Sequence, residues 1–163
     1  MAESWTLADL VLALVGPGFA KTTGAQIPID GGTPERITDK LTSQVAISPD
    51  GKLIACRYRE SDLSPFQLGL IEFATGKTVK TIDIPPTNNI LDWSADGRAV
   101  LYVDTRGRVS NIWSQPIDGG PPKQLTHFKS ELIFVFDLSR DGKQLAVSRG
   151  TVSNDVVLIT DAG

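Results

Sequence analysis

Two aspartates, Asp92 and Asp137, stand at matching places in a repeated pattern, each just ahead of a Ser-x-Asp-Gly run. At the third matching place the residue is Ala46. Two carboxylates on neighbouring units could hold a cation or a basic group if they converge. The competing reading is a pair of solvated side chains that bond to nearby turns. A second group is basic: Arg57, Arg59, Arg106 and Arg108. Arg106-Gly107-Arg108 reads as a turn and could touch an anion or an acidic partner. Here the competing reading is a solvated rim whose local ion pairs contribute little. The chain has one cysteine, Cys56, and one histidine, His127. One of each cannot build a Cys/His zinc cluster. Cys56 lies in an apolar run and reads as a small buried hydrophobe, where a thiol is unreactive. His127 follows a strand-like segment with no partnered nucleophile, and no Gly-x-Ser-x-Gly elbow occurs. The expectation is a non-enzyme with no catalytic, cofactor or metal residues. The binding candidates are Asp92, Asp137, Arg106 and Arg108.

Composition narrows the classes. Of 163 residues, 40% are hydrophobic and 21% charged, which suits a globular domain with a core. The net charge of −3 argues against a general nucleic-acid binder, which needs a basic face. A lone cysteine forms no internal disulfide and does not report the compartment. Fifteen glycines and ten prolines fall at regular intervals, as turn punctuation does.

The elements that would carry these residues follow from the repeat. Ser48-Pro49-Asp50-Gly51-Lys52 returns as Ser94-Ala95-Asp96-Gly97-Arg98 and Ser139-Arg140-Asp141-Gly142-Lys143. A second series, Ile27-Pro28-Ile29-Asp30-Gly31-Gly32, returns as Gln115-Pro116-Ile117-Asp118-Gly119-Gly120, with a weaker copy around Gly76. Both series share a period of about 44, the length of a four-stranded propeller blade. Strands are expected at 45–48, 53–59, 67–73 and 79–83, then at 90–94, 99–104, 111–117 and 123–126. A third set is expected at 135–139, 144–149 and 155–160. Two strands of a preceding blade are expected at 25–29 and 34–38. Ile47, Trp93 and Leu138 match one another, as do Cys56, Tyr102 and Val147, so these are core between stacked sheets.

The fold class expected is all-β: a partial β-propeller of about three four-stranded antiparallel blades plus two strands of a preceding blade. The propeller would span 25–163. Residues 1–24 are unassigned, and Leu7, Leu10, Val11 and Leu14 suggest a short amphipathic helix or a disordered segment. The apolar stretch is too short to cross a bilayer, and Glu3 and Asp9 make it a poor signal peptide. Localisation is left open.

The run Ile47-Ser48-Pro49-Asp50-Gly51-Lys52-Leu53-Ile54-Ala55 resembles the PD40, or WD40-like, repeat of TolB-like propellers. Asn111 to Gly120, followed by Lys123-Gln124-Leu125-Thr126, is similar to the next part of that repeat. The resemblance covers residues 25 to 161 and is nearest to C-terminal propeller portions of large bacterial multidomain proteins. It implies a protein- or peptide-binding scaffold, with self-association through exposed blade faces. The alternative it implies is a sensor or accessory domain of a kinase, a DNA-binding regulator or a prolyl-oligopeptidase-type peptidase. The kinase loops are absent, so that activity does not carry over. No membrane insertion and no nucleic-acid partner are expected.

Overall fold

The computed structural model describes residues 10–15, 23–28, 30–38, 40–61, 63–85 and 91–153. Among them the regular structure is all strand, thirteen in number, arranged in four antiparallel sheets. Sheet one is β1 (Leu10–Val15), β2 (Thr23–Pro28) and β3 (Glu35–Arg36). Sheet two runs β4 (Leu41–Ile47), β5 (Leu53–Arg59), β6 (Gln67–Glu72) and β7 (Thr78–Ile82), in sequence order. Sheet three repeats this with β8 (Leu91–Trp93), β9 (Ala99–Arg106), β10 (Val109–Pro116) and β11 (Lys123–Gln124). Sheet four holds β12 (Leu132–Leu138) and β13 (Leu145–Gly150). The strand expected at 155–160 lies outside the described residues.

One expectation is corrected. Leu10–Val15, read as part of a helix, is strand β1, paired from Leu10 with Pro28 to Val15 with Thr23. A short apolar run does not separate helix from strand by its period. A helix of this length would be marginal alone, whereas the strand pairs the ladder groups of β2.

The turns form because each Ser-x-Asp-Gly run closes on itself. Ser48 Oγ donates to Asp50 Oδ1 at 2.7 Å and accepts from the Leu53 amide at 2.9 Å. Asp50 Oδ1 also accepts from the Lys52 amide, and the Gly51 amide donates to the Ser48 carbonyl. Ser94 with Asp96, and Ser139 with Asp141, repeat these bonds within 0.1 Å. Gly51, Gly97 and Gly142 have φ of 73°, 68° and 69°, a backbone that glycine adopts without a Cβ penalty. Each carboxylate is held below the ordinary aspartate range, first by the serine hydroxyl and then by the amide two residues on.

Packing between sheets explains the apolar register. Ile54, Cys56, Tyr58 and Ile71 pack with Ile37, Val45 and Ile47 on one face of sheet two. Ala55, Leu68 and Leu70 meet Trp93, Val100 and Tyr102 on the other. Leu101, Val103 and Ile112 then meet Ile133 and Phe136 of sheet four. Both faces of β5 and β9 are therefore covered, which is why neither strand alternates cleanly between apolar and polar. Trp93 ties two sheets, donating from Nε1 to the Ala46 carbonyl at 2.9 Å. A further tie is Lys80 Nζ, which donates to the Ile117 carbonyl at 2.8 Å.

Candidate functional site

The innermost strands β4, β8 and β12 each end at a Ser-x-Asp-Gly turn. At that end a cavity of about 410 Å3 is lined by Ile47, Pro49, Asp92, Trp93, Asp137 and Arg140, among others. The sequence left open whether Asp92 and Asp137 meet. They share this cavity. Partial burial of the Asp92 carboxyl raises its pKa, and the Asp137 charge adds to the rise. The Trp93 amide, which donates to Asp92 Oδ1 at 2.7 Å, works against it. Ile47, Trp93 and Leu138 supply apolar walls, and Arg140 adds a cation at the rim.

Arg106 and Arg108 are not brought to this cavity. Both are exposed around the β9–β10 turn. Arg106 Nε donates to the buried Asp104 carboxylate at 2.9 Å, and its guanidinium lies 5.7 Å from the Trp113 ring centre. This is a local ion pair of the kind a sheet rim carries.

The other two arginines of the basic group depart from the rim reading. Arg57 is 8% exposed, and its guanidinium lies 4.5 Å from the centre of the Phe66 ring. Arg59 approaches the same ring at 5.0 Å. Burial pushes the Arg57 pKa down. Residues two apart on a strand share a face, so a period-two reading makes Arg57 solvent-facing. Sheet three covers that face at Ala55, and the Phe66 ring lies against Arg57.

Cys56 is fully buried, and burial pushes its thiol up to about 12, which makes it inert as a nucleophile at neutral pH. His127 is exposed. Among the described residues no three or more His, Cys, Asp or Glu side chains gather as a metal site. No described helix is long and apolar enough to cross a membrane.

No protein-family model matches the chain, and no curated protein matches it. Solved structures do. A TolB-type protein from Agrobacterium tumefaciens superposes with a TM-score of 0.73 at 22% identity, over 87% of this chain and 50% of that one. TolB from Acinetobacter baumannii gives 0.72 at 22% identity, over 90% of this chain and 37% of that one. An uncharacterized protein from Listeria monocytogenes gives 0.57 at 17% identity, over 86% and 51%. The chain thus spans about half, or less, of the length of these structures. With its repeated antiparallel sheets and their matching turns, the chain has the fold of a TolB-like β-propeller.

Proposed function

We propose that this chain is a non-catalytic propeller segment that binds a protein or peptide at the inner end of its sheets. The observation that carries this reading is the cavity shared by Asp92 and Asp137, with apolar walls beside them. Two carboxylates beside Ile47, Trp93 and Leu138 complement a lysine or arginine side chain, whose stem packs while its head meets charge. The inert Cys56 and the exposed His127 support binding over covalent chemistry. The fold by itself does not fix the partner.

The test uses the full chain and two fluorescent peptides of equal length, one rich in lysine and one in glutamate. Anisotropy should rise with the lysine peptide, weaken with salt, and fall at least about tenfold in affinity in the Asp92→Asn, Asp137→Asn double variant. Equal binding of both peptides, or a double variant that binds as well as the parent, would overturn the reading.

A further inference from the structure

A different end of sheet two carries a second site. The Ser-Pro-Asp-Gly turn closes one end of β4 and β5, and its polar groups are bonded to one another. At the opposite end Arg57 is paired across the ladder with Ser43, so their side chains stand on the same face. Arg57 Nε and Ser43 Oγ are buried there, and neither has a hydrogen-bond partner. Next to Ser43 is Gln44, whose buried Oε1 is also without one. Gln44 sits in a β-bulge with φ of 55°, a backbone that side chains other than glycine and asparagine seldom adopt. Buried polar atoms are nearly always bonded, and three orphans on two paired strands at one end of a sheet call for a cause.

The repeat argues that the cause is not packing. Arg57 lies six residues after Gly51, and Val103 lies six after Gly97. Val103 is fully buried in the next sheet and packs with Leu101 and Ile112. A valine therefore fills this place where only packing is needed. Among the described residues no carboxylate pairs with Arg57, and a cation buried in that way costs stability that a hydrophobe of similar size would not. The flat faces of Phe66 attract the guanidinium but supply no hydrogen-bond acceptor.

We propose that Arg57, with Ser43, binds an oxyanion at this corner of sheet two. The Arg57 Nε–H and the Ser43 hydroxyl donate to its oxygens, and the guanidinium charge balances it. Gln44 Oε1 takes a donor carried by the same ligand, such as the hydroxyl of a hydrogen phosphate or the last amide of a peptide C-terminus. The shared chemistry is a small oxyanion, from a free phosphate or from a terminal carboxylate. The site stands apart from the acidic cavity, so it survives or fails independently of the peptide reading above.

The experiment uses the full chain labelled with 15N-arginine. The Nε–H resonance of Arg57 is identified as the one lost in Arg57→Lys. Inorganic phosphate is titrated at constant ionic strength, and in separate arms a short peptide ending in a free carboxylate and the same peptide amidated. Movement of the Arg57 resonance with phosphate alone assigns a free ion. Movement with the free-carboxylate peptide and not its amide assigns a chain terminus. The apparent affinity, read by isothermal titration calorimetry, should weaken at least about tenfold in Arg57→Met. Without any oxyanion, Arg57→Met should unfold at an equal or higher urea concentration than the parent. A resonance that stays still in every arm would overturn the proposal, whether or not the variant folds. So would an Arg57→Met midpoint well below the parent with no response to oxyanion, since Arg57 would then be a packing residue.

Discussion

The two ends of sheet two solve the same problem in opposite ways. At the turn end, Ser48, Asp50, Gly51 and Leu53 bond to one another, and sheets three and four repeat the solution at the same distances. At the far end, Ser43, Gln44 and Arg57 keep buried polar atoms without hydrogen-bond partners, and the matching place in sheet three is the apolar Val103. Groups that repeat and are satisfied define the fold. A group that breaks the repeat and costs stability marks a place where something other than folding sets the residue. The contrast makes a signed forecast: changes at the turn end destabilise, while removing the arginine at the far end does not.

The largest effect should come from Gly76, in the turn between β6 and β7. Its φ is +67°, and a Cβ there would lie 2.0 Å from the Ile37 carbonyl oxygen of the adjoining segment. Backbone against backbone leaves nothing flexible to yield, so Gly76→Ala should lose more than about 2 kcal/mol in urea unfolding. Gly107, with φ of +64° and open space around it, is the control. Gly107→Ala should lose only about 1 kcal/mol, the cost of a left-handed alanine. Equal losses would mean that the segment at Ile37 does not pack on the turn at Gly76.

Next in size is Ser48→Ala. It removes the acceptor of the Leu53 amide and the donor to Asp50 from a buried position. The expected loss is about 1–3 kcal/mol by the same urea assay. Ser139→Ala, on the exposed turn of sheet four, should cost less. Reversal of that order would break the claim that the turn network matters most where neighbours cover it.

The smallest effects are those of pH. Asp50, Asp96 and Asp141 have folded pKa values below the ordinary aspartate range. Their contribution is present above the unfolded value and is lost as pH falls through the folded value. Asp92 is raised by burial, so its contribution is present below the unfolded value and is lost as pH rises through the folded one. Asp92→Asn should therefore raise the thermal midpoint at pH 7 and leave it nearly unchanged well below pH 3. Triple replacement of the turn aspartates by asparagine should flatten the acid limb of the stability curve. Because these three side chains are exposed, screening keeps that change small.

The same contrast explains what the sequence revealed. The glycine spacing placed the turns, and the strands follow within a few residues: β5 at Leu53–Arg59 coincides with its expectation. Turn chemistry is local, and local chemistry is written in consecutive residues. The inner strands β4 and β12 begin earlier than expected because each contains a bulge, after Ser43 and after Ile133. A bulge leaves no fixed signature in residue type. Arg57 was legible as a cation but not as a buried one, since the Phe66 ring against it comes from a separate stretch of chain ahead of β6. Asp92 and Asp137 were legible as equivalents, yet only the curvature of the stacked sheets brings them to one cavity. The β1 strand was hidden because its partner, β2, decides its conformation.

The central claim is that stacked sheets of one repeat carry the molecule, each locked at its turn end. Amide hydrogen exchange followed by NMR on the full chain addresses it most directly. The Leu53 and Ala99 amides, each donating to a serine Oγ, should exchange as slowly as the covered strands β5 and β9 that they begin. Exchange of both amides at the rate of an unstructured chain, while β5 and β9 stay protected, would contradict the account.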